Sequence, residues 1–194
     1  MTTTSYHKGI CTKGTNKKLG KHVTSVQRAA GITCPGESEW CARCYAIKGF
    51  FVRYKLQTRY AAEDLVLPQK AGPLFRWHVS GDFDSPEIIA TARDYAIANP
   101  DTKFWAYTRS WRIPALLPHL AGLRALPNVQ LFASTDPTIV EEPPAGWRIA
   151  YIEGDPRYQG SGMTCLENTG VMPDCEACTY CWRKPRGHVG FPEH

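Results

Sequence analysis

Seven of the eight cysteines in this 194-residue chain fall into two tight knots, and no other feature restricts its fold as strongly. The front knot runs Cys34-x6-Cys41-x2-Cys44, and the rear knot runs Cys165-x9-Cys175-x2-Cys178-x2-Cys181-Trp182. Thiols at i, i+3 and i+6 fit neither core packing nor a disulfide framework, but they are the spacing of a metal site. The knots, one ahead of the body of the domain and one behind it, therefore suggest iron–sulfur or zinc sites.

The rest of the chain is ordinary enough to carry such knots. With 43% hydrophobic residues and 11% aromatics it can build a real core. No uncharged apolar run approaches the roughly 18–20 residues that span a bilayer, and the segment Met1-Thr-Thr-Thr-Ser-Tyr is unlike a secretory leader. The expectation is a cytoplasmic protein without membrane contact, where thiols stay reduced and clustered cysteines bind metal. The formal net charge is +5, with Lys13, Lys17, Lys18, Lys21, Arg53, Lys55 and Arg59 towards the front and Arg183, Lys184 and Arg186 at the back. Such a surface serves a nucleic acid or an anionic small ligand, or is a solvated face; both readings stand.

Between the knots the sequence alternates strand and helix. A short strand is expected around His22–Val26 and a helix from Tyr45 to about Leu65. Leu74–Val79, Lys103–Tyr107, Val129–Ala133 and Arg148–Ile152 read as buried strands. Ser85 is a good helix N-cap followed by Pro86, ahead of an apolar stripe at Ile88, Ile89, Ala92 and Ala96. A second helix carries Leu116, Leu117, Leu120 and Leu123, whereas the connection through Pro143-Pro144 is too short for one. The alternation predicts an α/β fold with a mainly parallel sheet. In such sheets ligands sit beyond the carboxyl ends of the strands. Those ends are polar here: His78, Ser80, Gly81 and Asp82; Thr108 and Arg109; Ser134 and Asp136; Glu153 and Asp155. They point to one shared site, for which Ser80, Gly81, Asp82, Arg109, Ser134, Asp136 and Glu153 are the candidate cofactor-binding residues. Taken singly, each acid is also a plain cap or turn residue. Trp77, Trp105 and Phe132 read as core, and Trp111 as core or as a stacking surface for a base.

Cys175, Cys178 and Cys181, with Cys165 upstream, make a full four-thiolate set of the kind that wraps a 4Fe–4S cubane, with zinc as the alternative metal. The front set, Cys34, Cys41 and Cys44, is one ligand short. Either one iron stays open for a substrate or cofactor, or Cys11 or His22 closes the site.

Thr33-Cys-Pro-Gly with Cys41-x2-Cys44-Tyr-Ala, then Phe75-Arg-Trp-His-Val-Ser-Gly-Asp-Phe, Phe104-Trp-Ala-Tyr-Thr-Arg-Ser-Trp, Leu131-Phe-Ala-Ser-Thr-Asp-Pro and the rear knot resemble the phage "gene product 88" family, from about Gly14 to His194. That resemblance implies a phage gene product working in the cytoplasm of a bacterial host. More distantly, the order of strand, three-cysteine loop, helix and repeated strand units is similar to the radical SAM superfamily, with a longer first gap between the cysteines. The second resemblance implies a partial (half-)barrel over residues 1–160, followed by a cysteine-rich cluster-binding segment over residues 161–194. It also implies S-adenosylmethionine on the open iron, with Ser80, Gly81 and Asp82 near its amino group. The expected function is an iron–sulfur protein, radical-SAM-like or redox, with one or two 4Fe–4S clusters and a small-molecule or nucleic-acid substrate. The alternative is a zinc- or cluster-stapled module that binds nucleic acid or a host protein and performs no chemistry.

Overall fold

The strand–helix rhythm of residues 74–152 folds as an α/β sheet. The computed structural model describes residues 10–14, 16–44, 46–47, 65–183 and 187–193. Its strands are β1 (Ile10–Lys13), β2 (Val23–Gln27), β3 (Leu74–Arg76), β4 (Lys103–Thr108), β5 (Val129–Ser134), β6 (Arg148–Ile152), β7 (Gly162–Thr164) and β8 (His188–Phe191). They lie in the order β1-β2-β3-β4-β5-β6-β8-β7. Strand β1 runs antiparallel to β2, the other seven are parallel, and the sheet does not close. The expectation of about five strands missed β1, β7 and β8. Each is only three or four residues long and exists through its pairing with a distant partner. Two of them, β7 and β8, bring the segment after residue 160 into the same sheet.

Helix α1 (Pro86–Ala98) begins where the sequence predicts: the Ser85 hydroxyl accepts from the Ile88 amide at 3.4 Å and Pro86 opens the first turn. Helix α2 (Leu117–Arg124) follows β4. The connection between β5 and β6 contains no helix, as expected from its length. The helix expected from Tyr45 to Leu65 lies outside the described residues, apart from a turn at residues 46–47 and the buried Leu65. Arg53, Lys55, Arg59, Lys184 and Arg186 lie outside them too. Among the described residues no helix is long and apolar enough to cross a membrane.

Because successive strands from β2 to β6 are neighbours, α1 and α2 pack together on one face of the sheet. Side-chain alternation sends Phe104, Ala106, Val129, Leu131 and Ala133 to that face, against Ile88, Ile89, Ala92, Leu120 and Leu123. Each fully buried Ile or Leu contributes about 1.5–3 kcal/mol. The alternate residues Trp105, Tyr107, Phe132, Ala150 and Val189 face the other way, and the rear cysteines pack against them. One face is thus covered by helices and the other by the rear knot.

Strand β3 stops three residues earlier than predicted. His78 takes a left-handed backbone (φ 51°) that turns the chain out of the ladder. The Val79 amide then bonds back to the Val26 carbonyl at 2.9 Å.

Candidate metal centres

The rear knot is held to the sheet by its backbone. Cys165 donates its amide to the Gly190 carbonyl of β8 at 2.8 Å. Residues Cys175–Cys178 form a one-turn helix, α3, capped by the Asp174 carboxylate on the Ala177 amide at 2.7 Å. This turn docks on the segment before β2: the amides of Cys175 and Glu176 donate to the carbonyls of Lys18 and Leu19 at 2.9 and 3.1 Å. From the other side, Arg148 of β6 donates to the carbonyls of Tyr180 and Cys181 (both 3.2 Å) and Gly187 (3.1 Å), with its guanidinium 4.2 Å from the Phe132 ring centroid. Residues 179–183 form neither helix nor strand, so carbonyls there need external donors. All four rear thiols, Cys165, Cys175, Cys178 and Cys181, line one cavity of about 430 Å³, together with Arg76 and Tyr107.

The front knot lies at the carboxyl end of β2. A 3-10 turn over Glu39–Arg43 follows Ser38, whose amide donates to Cys41 Sγ at 3.4 Å. The three thiols Cys34, Cys41 and Cys44 line a second cavity, of about 120 Å³, with Ser80, Gly81, Asp82, Arg109 and Ser134. Five of the seven candidate rim residues therefore line one cavity. Asp136 reaches that site through Arg109 rather than lining it. Glu153 does not join the set: it turns towards β7, where the Thr164 hydroxyl donates to it.

The rim residues form a lateral chain of polar contacts. Asp82 Oδ2 accepts from the amides of Arg109 (2.7 Å) and Ser110 (3.2 Å), and its Oδ1 from the Phe83 amide at 2.7 Å. Arg109 donates to Cys41 Sγ at 3.1 Å and pairs with Asp136 at 2.9 Å; the Ser38 hydroxyl donates to the same Asp136 carboxylate at 2.6 Å. Asp136 also takes the Thr138 amide at 2.9 Å, the bond expected of a plain turn residue. Gly81 has φ +75°, and a Cβ there would fall 2.4 Å from Thr33 Oγ1, so only glycine lets this loop close on the β2 end. The Ser80 hydroxyl donates to the Arg28 carbonyl at 2.8 Å. The polar groups of Ser80 and Asp82 are thus engaged within the protein.

Burial pushes the Cys34 thiol up to about 12, with the Asp82 charge adding to it. Burial likewise raises Cys175 to about 12 and Cys181 to about 11, the other rear thiols adding to the effect. Asp82 is raised by burial despite its amide donors. His78 is held well below the usual histidine range, first by burial and then by the Arg28 and Arg76 charges. Its ring lies edge-on to Phe83 at 4.4 Å, and neither ring nitrogen has a hydrogen-bond partner among the described residues. It lines neither cavity.

Neither candidate for a fourth front ligand is there. Cys11 packs against the helix-side core, and His22 Nδ1 bonds Glu176 at 2.6 Å beside the rear knot. Trp111 is core, its indole N–H donating to the Ser134 carbonyl at 3.0 Å. Sequence reasoning did not single out Arg76, Tyr107 or Arg148. The available signal was an arginine inside an otherwise apolar strand. Tyr107 and Val79 line both cysteine cavities, so the two knots adjoin across the sheet. Among the described residues no three Cys, His, Asp or Glu side chains form a group that could hold a single metal ion. The donor set is nonetheless all thiol, which suits zinc or iron–sulfur and excludes the hard oxygen-loving cations.

A family described as Gene product 88 matches residues 62–184. The chain is similar to the Gene 88 protein of Mycobacterium phage L5, 30% identical over 172 residues, covering 73% of this chain and 70% of that protein. It is similar to the Gene 88 protein of Mycobacterium phage D29 at 30% identity over 176 residues, with 73% and 70% covered. No solved structure matches the chain.

Proposed function

The chain belongs to the Gene product 88 family, and from that premise we propose that it is an iron–sulfur protein of redox type acting in the cytoplasm of a phage-infected bacterium. Cys165, Cys175, Cys178 and Cys181 hold one 4Fe–4S cluster. Cys34, Cys41 and Cys44 hold a second, with one iron left for a ligand from outside the chain. The observation that carries this reading is the sorting of seven thiols into two adjoining cavities, four in one and three in the other.

The arrangement favours a cluster over zinc. A structural zinc ion draws four ligands to one point at about 2.3 Å from each sulfur. At the rear the run Cys175-x2-Cys178-x2-Cys181 is continuous rather than split into two knuckles, and its thiols share the walls of one cavity, which suits a ligand with a body of its own. When bound, such clusters supply one-electron transfer. The protein's part is to exclude water, to set charge near the sulfurs through Arg76, Arg109 and Arg148, and to hold the two centres side by side.

We read the one-way winding of β2 to β6 as a half-barrel with its concave side filled by the rear knot. On that reading the front knot sits where the radical SAM resemblance puts it, and S-adenosylmethionine is the outside ligand that the resemblance offers. The Ser80–Asp82 loop supports that less than the cysteines do, since its hydroxyl and carboxylate already have partners. Redox chemistry is therefore the leading reading and SAM cleavage the stronger claim.

Anaerobic purification followed by iron, sulfide and absorption measurements tests both. A brown protein with iron and sulfide for two clusters is expected. Release of 5′-deoxyadenosine from S-adenosylmethionine under dithionite would extend the reading to radical chemistry, and its absence would leave redox transfer. A colourless protein carrying zinc and binding nucleic acid in a salt-sensitive way would overturn it in favour of a metal-stapled binding module.

A further inference from the structure

Between the two knots lies a third hollow, of about 260 Å³. Cys41 and Cys44 stand on its front side, and Arg76, Tyr107 and Phe191, which also line the rear cavity, stand on the other. Four cations line it: Lys18, Arg43, Arg76 and Arg109. Three of them already face a carboxylate: Arg43 pairs with Glu193 at 2.6 Å, Lys18 with Glu167 at 2.9 Å and Arg109 with Asp136 at 2.9 Å. Arg76 is different. It is 9% exposed, its guanidinium lies 3.9 Å from the Tyr107 ring centroid, and its Nε is buried without a hydrogen-bond partner. Among the described residues no carboxylate pairs with it.

A cation at that depth without a counter-charge is unfavourable, and the face of one aromatic ring offsets only part of the loss. Arg76 faces the rear thiols on one side, and on the side of this hollow the place of a counter-charge is open to an anion from outside. A guanidinium presents two parallel N–H groups, which match two oxygens of a carboxylate or a phosphate. The remaining wall carries Trp40, Tyr107, Ile152, Phe191 and Pro192, which suit a flat body behind the charged group, and Glu193, whose carboxylate is engaged by Arg43.

We infer that this hollow binds a small ligand with a flat apolar body, its carboxylate or phosphate held by Arg76 and flanked by Lys18 and Arg109, against the sulfurs of the front knot. The inference rests on the proposed function only in taking that ligand as the redox substrate; the binding itself stands on the hollow and its unpaired arginine.

The test uses the full chain purified anaerobically, with iron and zinc measured in the same sample so that the metal reading is judged separately. Benzoate and adenosine 5′-monophosphate are titrated calorimetrically, with adenosine as the uncharged counterpart of the latter. At least one charged probe binds, adenosine binds far more weakly, and Arg76→Gln weakens the bound probe by about tenfold or more, Arg76→Lys by less. Binding of the nucleotide identifies a phosphate as the anion; binding of benzoate alone identifies a carboxylate. Failure of both charged probes at millimolar concentration overturns the inference. So does wild-type affinity in a folded Arg76→Gln chain, including the case in which that change moves only the reduction potential of the rear centre, which would make the rear thiolates the partner of Arg76. Lys18→Gln reads the same site from the rim without touching the sheet: several-fold weaker binding supports the inference, and unchanged binding there counts against it.

Discussion

The Arg109 guanidinium donates to Cys41 Sγ at 3.1 Å with one arm and pairs with Asp136 at 2.9 Å with the other. One side chain at the end of β4 thereby ties the front cysteine loop to the end of β5. Asp136 is fully buried and Arg109 is its ion-pair partner. Replacing Arg109 by Gln leaves the carboxylate without its counter-charge, at a cost of about 3–5 kcal/mol. For a chain of this size that lowers the melting temperature by roughly 6–20 °C in differential scanning calorimetry. The front centre loses its metal while the rear keeps its own. Equal loss from both centres would refute the separate anchoring.

On the proposed reading the two thiol sets act independently. Ser in place of Cys34, Cys41 or Cys44 removes one cluster's iron and sulfide, and Ser in place of Cys175, Cys178 or Cys181 removes the other's. Cys11→Ser changes neither, because Cys11 packs against the core and lines neither cysteine cavity. Iron and acid-labile sulfide per chain check all seven variants.

Arg148 supplies donors to the carbonyls of Tyr180, Cys181 and Gly187. Arg148→Gln leaves those carbonyls short of partners, at about 1–3 kcal/mol for each buried group that water cannot reach. Hydrogen exchange of the amides at 175–183 speeds up, while that of β4 and β5 holds. Uniform acceleration across the sheet would show that Arg148 supports the fold at large rather than the knot.

Gly36 passes so close to β4's end that a Cβ would lie 2.1 Å from the Arg109 carbonyl oxygen. Gly36→Ala forces the front loop off the rim, costing about 1–3 kcal/mol as overpacking does. Metal content of the front centre falls with it. A fully loaded, equally stable variant would mean that the loop has slack the packing does not suggest.

Asp155 accepts from Arg157 Nε at 3.0 Å and Nη2 at 2.7 Å, and Arg157 in turn holds the carbonyls of Asp136 (2.8 Å) and Ile139 (2.6 Å). The Arg157 hydrogen bonds hold the Asp155 carboxyl below its usual 3.8. A carboxyl with a depressed native value stabilises the fold above its unfolded value, and the contribution disappears as pH falls through the native one. The stability gap between wild type and Asp155→Asn is therefore constant above about pH 5 and shrinks below it. A gap that widened in acid would contradict the sign.

Local signals were legible. Ser85-Pro86 and the stripe from Ile88 to Ala96 specify α1 within one stretch of chain, and β4, β5 and β6 carry the apolar runs Phe104–Tyr107, Leu131–Ala133 and Ile149–Ile152. The strands β1, β7 and β8 were not: Gly162-Met-Thr and His188-Val-Gly-Phe carry little propensity, and only pairing across the sheet makes them strands. The helix predicted from Tyr45 falls on residues outside the described ones. The rim was legible as a polar edge, but not its internal wiring. Whether Asp82 faces a ligand or the Arg109 amide depends on how closely two loops approach, and no spacing along the chain encodes that.

By itself the sequence determined which thiols can act together, because ligands three residues apart are brought near one another by any single turn of backbone. It also determined that each knot offers a set of soft thiol groups and that the strands end in polar residues. Only the tertiary structure decided that the two knots adjoin across Tyr107, that Cys11 and His22 stand apart from the front set, and that Arg76 enters the hollow without a carboxylate. Those outcomes follow from sheet order: β3 lies between β2 and β4, Arg76 pairs in register with Trp105, and the rear segment returns through β8 to cover the same face. A buried charge finds its partner through contacts between residues far apart in the chain, so its neighbours exist only once the sheet has formed.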